Sequence, residues 1–229
     1  MAIATDGWQD PVLQWEGAHE RVVELVEAST AEAMNTAVPA TPAWRARDLL
    51  AHVVGLDHDV VAGREPDDHG DAWTQSHVDE RRHRSVEELL DEWRGDAEAV
   101  RQHLRDDPRA MVDVIVHEQD LRGALSAPGA RETGGAHLVR KALAGRLGAR
   151  VEELDLAPLR LVSPDWTWTS PGSGAPGTVL EASTYDVTRA LCSRRTADQL
   201  RSWVVEGDVE PYLEAFTLLG PLPTSPLPE

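Results

Sequence analysis

The sequence predicts an α+β protein: a helical bundle followed by a smaller domain of short strands and helices. Up to about residue 150, apolar residues recur at helical spacing between cap signals. From about residue 151 the texture changes to short alternating stretches separated by Pro and Gly. A chain of 229 residues and 25.1 kDa has room for two modest domains. The expected division is therefore a helical domain over 1–150 and a small α+β domain over 151–229 that ends in a Pro-rich tail.

The helices follow from their start and stop signals. Asp10-Pro11 sets a capping side chain before a proline, and Val12, Trp15, Val22, Val23 and Val26 continue at helical spacing, which predicts a first helix over about 11–35. Thr41-Pro42 repeats the signal ahead of Trp44, Leu49, Leu50, Val53, Val54 and Val61, and Gly63 ends that stripe. Residues 63–83 are polar with little periodicity and read as a long excursion with room for one short helical piece; such excursions often border a site. Ser85-x-x-Glu88 is a capping box for a helix over about 86–105. Pro108 opens the next, whose residues Met111, Val112, Val114, Ile115, Val116, Leu121 and Leu125 are apolar around most of its circumference, as in a helix held in a core. Pro128-Gly129 stops it, and Ala136, Leu138, Val139, Leu143 and Leu147 predict another over 135–148.

Beyond residue 151, Leu159-Arg-Leu-Val162, Trp166-Thr-Trp-Thr169 and Gly177-Thr-Val-Leu-Glu-Ala182 read as strands. Tyr185–Ser193 reads as a helix, Trp203-Val-Val-Glu-Gly207 as a short strand and turn, and Pro211–Leu219 as a last helix.

Composition excludes several functions. With 22 basic against 40 acidic residues the formal charge is −18, a field that repels phosphates, so neither nucleic acid nor an acidic membrane surface is an expected partner. No stretch approaches the roughly 18 consecutive apolar residues of a membrane span. The single cysteine, Cys192, excludes an intramolecular disulfide and any CxxC site. Met1-Ala-Ile-Ala-Thr-Asp6 lacks a basic region followed by an apolar one, so a cytoplasmic protein is expected. No GxGxxG, P-loop, HExxH or GxSxG is present, which removes nucleotide cradles and serine-hydrolase elbows.

Histidine and carboxylate pairs remain. Residues four apart on a helix share a face, with Cβ atoms about 5 to 6 Å apart, close enough to chelate one metal. Nine histidines and 40 acidic residues in 229 positions give about 1.6 acid-x-x-x-His pairs by chance. Four occur: Asp48/His52, Glu65/His69, Asp79/His83 and Asp113/His117, so context must select. Glu65/His69 and Asp79/His83 lie in polar stretches, whereas Asp113/His117 lies in an apolar run, Met111-Val-Asp-Val-Ile-Val-His117, where burial without partners would be costly. His52 has a similar setting, Leu49-Leu-Ala-His52-Val-Val, on another helix. Facing helices can bring the three together as a two-histidine, one-carboxylate set with an open fourth position, the way catalytic zinc is held. The alternative is a hydrogen-bonded Asp113–His117 pair beside a separate core histidine.

Three segments carry a resemblance: Thr41-Pro-Ala-Trp-Arg-Ala-Arg-Asp-Leu-Leu-Ala-His-Val-Val-Gly55, Val112-Asp-Val-Ile-Val-His-Glu-Gln-Asp-Leu-Arg122 and Arg194-Arg-Thr-Ala-Asp-Gln-Leu-Arg-Ser-Trp203. They resemble the mycothiol-dependent maleylpyruvate isomerase family, which implies a DinB-like four-helix bundle followed by a small α/β C-terminal domain. The resemblance implies a divalent metal, usually zinc, on His52, Asp113 and His117, with Asp113 replacing the family's glutamate and shortening that arm by one methylene. It implies mycothiol as a cofactor, with Arg194 or Arg195 as its contact, and a small electrophile as substrate. The implied reaction is cis-trans isomerisation by reversible thiol addition, or thiol transfer. The nucleophile comes from the cofactor, so Cys192 reads as a small helix residue. Two rivals stand beside this: a hydrolase activating water on the same ligands, and a non-catalytic binding protein that has kept the bundle.

Other residues have plainer readings. Asp57-His-Asp59 reads as a polar helix end, and Glu118 with Arg122 as a helix salt bridge. Asp120 likewise reads as structural. Trp166 and Trp168 face the same side of one strand, packing the sheet on helices.

Overall fold

The computed structural model describes residues 9–67 and 69–229. Two compact units divide after Gly135, with Pro228–Glu229 returning to the first and Ala136–Leu227 forming the second. Met1–Asp6, the stretch that lacks a targeting pattern, lies outside the described residues. Among the described residues no helix is long and apolar enough to cross a membrane.

The first unit is a bundle of α1 (Pro11–Glu27), α2 (Ala46–Ala62), α4 (Val86–His103) and α5 (Arg109–Ala124), with the shorter α3 (Asp71–Arg81) laid on α2. The start signals act as expected in two helices: the Asp10 carboxylate accepts from the Val12 N–H at 2.9 Å, and Ser85 and Glu88 exchange their capping-box bonds. The first helix stops at Glu27 instead of running to 35. There Ser29 Oγ turns back onto the Leu25 carbonyl and Thr30 Oγ1 accepts from the Ala33 N–H where a separate 3₁₀ turn, Ala33–Asn35, begins, local bonds that compete with helix propagation. α2 begins four residues after Pro42, because Thr41 and Trp44 close a turn, and it ends at left-handed Gly63 (φ 64°). The polar excursion after it contains α3.

The bundle core is built from Trp15, Val22 and Val26 of α1, Leu49, Leu50 and Val53 of α2, Leu89 and Trp93 of α4, and Val114 and Leu121 of α5, all buried. α5 is buried around most of its circumference, polar Glu118 and Asp120 included. α2 touches α3, α4 and α5, so one helix connects most of the bundle.

The second unit carries α6 (Gly134–Glu153) from Ala136 on, a helix that the change of texture at residue 151 had grouped with the bundle. Its sheet is mixed, in the order β2-β1-β3-β4: β1 (Leu159–Ser163) pairs antiparallel with β2 (Trp166–Thr169) through a two-residue turn, parallel with β3 (Thr178–Glu181), and β3 pairs antiparallel with β4 (Val204–Glu206). Leu159, Leu161 and Leu180 give the sheet its buried face, against which α7 (Thr184–Leu191) packs on β1. Trp166 and Trp168 lie parallel, 6.4 Å apart, with Arg140 of α6 over Trp166 and Gly148 of α6 close against Trp168. That pairing of strand and helix is the packing role expected of them. A short α8 (Ala197–Ser202), capped by Thr196, was not foreseen, and the last helix is a 3₁₀ segment at Glu210–Phe216.

Candidate metal centre

Packing of α2 on α5 carries His52 to Asp113 and His117. The His52 and His117 Nε2 atoms each stand 3.5 Å from the same Asp113 oxygen, Oδ1, and the two rings meet edge to face with centroids 5.1 Å apart. One ligand atom from each residue lies within 4.8 Å of the others. A spacing of 3.5 Å is too long for a good hydrogen bond. It matches the roughly 3.4 Å between neighbouring ligand atoms that each lie about 2.1 Å from a tetrahedral ion. Asp113 Oδ2 is buried with no hydrogen-bond partner, an acceptor left over. His52 is buried, while Asp113 and His117 keep 15% and 11% of their side chains exposed, which leaves a route for an outside molecule. The three residues thus fit a divalent ion with a fourth position open.

The remaining ring nitrogens are occupied. His117 Nδ1 lies 3.1 Å from Asp120 Oδ2, three residues on along α5, so its N–H is directed there and Nε2 faces the centre. His52 Nδ1 lies 3.0 Å from Nδ1 of His77 on α3, whose Nε2 is 3.2 Å from Asp59 Oδ2. Asp59 in turn accepts from Trp73 Nε1 at 2.9 Å and from Arg64.

Charges in this cluster are strongly coupled. Burial favours the neutral acid at Asp113, but His117 and His52 outweigh it and hold the carboxyl well below the usual carboxylate range. Burial disfavours charge on His117, yet Asp113 and then Asp120 push it up to about 9. Burial and then His52 pull His77 down to about 4, against the opposing pull of Asp59.

Sequence reasoning set aside Asp57, Asp59 and Asp120 as structural and passed over His77. The Asp57-His-Asp59 stretch is not a polar helix end: Asp57 and Asp59 are buried in the body of α2. Asp57 Oδ2 accepts from the indoles of Trp15 and Trp93 at 3.0 and 2.6 Å. Asp120 orients His117 besides being buried in α5. His77 has no carboxylate four residues before it and sits in the polar excursion, so only its three-dimensional setting marks it. Glu118 makes the expected bond to Arg122 and a second, paired one to Arg21. A second group, His58, Glu92 and Asp96, also clusters, but Glu92 is taken by Arg81 at 2.7 Å and Arg84 at 2.5 Å, as in an ordinary ion-pair network. Of the other spaced pairs, Glu65/His69 meet at 3.0 Å, whereas Asp79 bonds Gln75 and His83 bonds Arg82.

In the second unit Arg194 and Arg195 are buried. Arg195 pairs with Asp186 at 2.9 Å and lies over Tyr185, and Arg194 bonds the Cys192 carbonyl at 3.0 Å. Cys192 is a buried residue at the end of α7.

Residues 15–115 match the family described as Mycothiol maleylpyruvate isomerase N-terminal domain. The matched stretch holds His52 and Asp113 and stops two residues short of His117. Two solved structures resemble the whole arrangement. The mycothiol-dependent maleylpyruvate isomerase is 13% identical, with 82% of this chain and 89% of that chain covered and a TM-score of 0.52. A histidine-to-alanine mutant of that isomerase is 12% identical, with 81% and 89% covered and the same TM-score. At such identities the likeness is one of fold: helical bundle, then small mixed sheet. No curated protein sequence matches the chain.

Proposed function

We propose that this chain is a divalent-metal enzyme that uses a low-molecular-weight thiol, mycothiol, to isomerise a small electrophile about a double bond or to transfer the thiol to it. The observation that carries this is the meeting of His52, Asp113 and His117 donor atoms around one point, within a domain of the maleylpyruvate isomerase kind. These three residues would hold the ion, zinc by the chemistry of the donor set. When bound, such an ion supplies Lewis acidity, under which a thiol loses its proton near neutral pH.

The protein's own part is orientation and charge. Asp120 directs the His117 ring, and Asp113 is the one carboxylate among three ligands, so the site would retain net positive charge toward an anionic sulfur. Deep burial of His52 restricts approach to the side where Asp113 and His117 are partly open. The reading extends to Arg194 and Arg195 as contacts of the thiol, supported by the sequence resemblance alone.

The test begins with the metal content of the untagged protein beside His117→Ala, by plasma mass spectrometry. About one equivalent in the parent and its loss in the variant is expected. Isomerisation of maleylpyruvate and transfer to model electrophiles are then assayed with and without mycothiol. Metal-dependent hydrolysis of a substrate without thiol would make the chain a hydrolase instead, and absence of metal even after zinc incubation would leave a binding protein.

A further inference from the structure

We propose that His77, backed by Asp59, is the positioning residue that fixes the proton of His52 on Nδ1 and so presents Nε2 as a metal ligand; the proposal rests on the metal-centre reading above. Proton placement follows from the acceptors outward. Asp59 is a carboxylate that already takes N–H bonds from Trp73 at 2.9 Å and from Arg64 at 2.5 and 3.0 Å, so it can only accept. His77 Nε2, 3.2 Å from Asp59 Oδ2, therefore carries the hydrogen of that bond. In a neutral ring this leaves a lone pair on His77 Nδ1, which points at His52 Nδ1 from 3.0 Å. His52 Nδ1 must then be the donor, and its Nε2, 3.5 Å from Asp113, is left with the lone pair a ligand needs.

The two histidine ligands are served differently. His117 takes its partner from its own helix, whereas the partner of His52 arrives from α3. Its placement is built into the contact of the two helices. Gly55, three residues beyond His52 on α2, faces His77 so closely that a Cβ there would stand 2.5 Å from the His77 Cβ. His77 is fully buried, stacks on His52 at 5.2 Å and meets the Trp73 indole edge-on at 4.7 Å. Ligand orientation at α2 thus depends on docking of a helix that contributes no ligand.

His77→Ala, His77→Asn and Asp59→Asn test this. An Asn at 77 keeps an acceptor near the position of Nδ1, while Ala removes it. An Asn at 59 can donate to His77, which would reverse the chain of protons and put hydrogen on the wrong nitrogen of His52. Zinc affinity is measured by competition with a chromophoric chelator, and melting of the metal-free proteins records any purely structural loss. Expected are about 10- to 100-fold weaker zinc binding in His77→Ala, recovery to within about threefold in His77→Asn, and weakening in Asp59→Asn. Long-range nitrogen–proton NMR of the parent protein should place the His77 proton on Nε2. Equal zinc affinity in His77→Ala and the parent, or a His77 proton on Nδ1, overturns the proposal. If His77→Ala does not fold, the Asn variants decide: unchanged affinity in Asp59→Asn refutes the relay. A parent protein that binds no zinc overturns the metal-centre reading itself, an outcome distinct from a parent that binds and variants that bind equally.

Discussion

Raising the pH should tighten metal binding at this centre over an unusual range, because His117 must give up a proton to become a ligand. Asp113 and Asp120 hold its imidazolium up to about 9, against an ordinary value of 6.5. At pH 7 the ring should therefore be largely protonated, and the apparent zinc affinity is expected to lie about 100-fold below its value above pH 9, a difference of about 2.7 kcal/mol. Between pH 6 and pH 8 the affinity should rise about tenfold per pH unit and level off near pH 9. The assay is zinc competition with a chelator of known protonation behaviour, from pH 6 to pH 9.5. A curve that flattens near pH 6.5 would show that the carboxylates do not hold the proton, and the charge argument would fail. Asp120→Asn removes one of the two carboxylates and should move the bend to lower pH.

Three further outcomes follow from packing and charge. Without metal, a histidine whose folded pKa is raised stabilises the protein fully below pH 6.5 and loses that contribution as pH rises toward 9; urea unfolding of parent and His117→Ala across pH 6 to 9 should show it only in the parent. Burial raises Asp57 to about 8, Trp93 and Trp15 opposing, so the folded state keeps a proton the unfolded chain releases near 3.8. Stability should fall between pH 4 and 8 by up to about 1.4 kcal/mol per pH unit, and Asp57→Asn should remove that slope; equal slopes in parent and variant would refute a neutral carboxyl at this place. Gly55→Ala would drive a methyl into His77 and should cost about 1 to 3 kcal/mol of unfolding free energy; an unchanged denaturation midpoint would mean that α3 does not lie so close to α2.

Much of the fold was legible because its signals are local. The Ser85 capping box, Gly63 at a helix end and the alternation of Leu159 and Leu161 act within a few residues, and the corresponding elements stand where they were expected. The errors arose where local signals compete. Val22, Val23 and Val26 have no stop after them, yet Ser29 Oγ bonds back to the Leu25 carbonyl and Thr30 Oγ1 accepts from the Ala33 N–H ahead of it, and the helix ends by Glu27. In the polar stretch before His83 a short helical piece was foreseen but its bounds were not, because α3 has few apolar residues to mark a stripe, Val78 being its one buried aliphatic.

The candidate site divides in the same way. Asp113 and His117 are neighbours on one helix, so an i, i+4 rule finds them, and the apolar setting of His52 selects it from nine histidines. The residues behind them obey no spacing. Asp59 reaches His77 across 18 positions, and His77 reaches His52 across 25, through an approach that a single missing Cβ at Gly55 permits. Burial of the charged residues around the centre carries the same lesson. Asp57 and Asp59 look solvated in a sequence because Asp-His-Asp is polar, but two indoles hold the first, and an indole and a guanidinium hold the second, in the interior. Tryptophan N–H groups make such burial tolerable, since each supplies a donor without adding a charge. Trp15 and Trp93 are core residues and Trp73 is half-buried, and through their nitrogen atoms the three also allow acidic side chains to stay on a helix that must carry a ligand histidine. A Trp73→Phe variant tests that coupling: it keeps an aromatic side chain and removes one donor from Asp59 without offering a donor to His77, so its effect on zinc affinity should be smaller than that of Asp59→Asn. A loss of affinity as large as that of His117→Ala would instead mean that Trp73 packs directly into the centre.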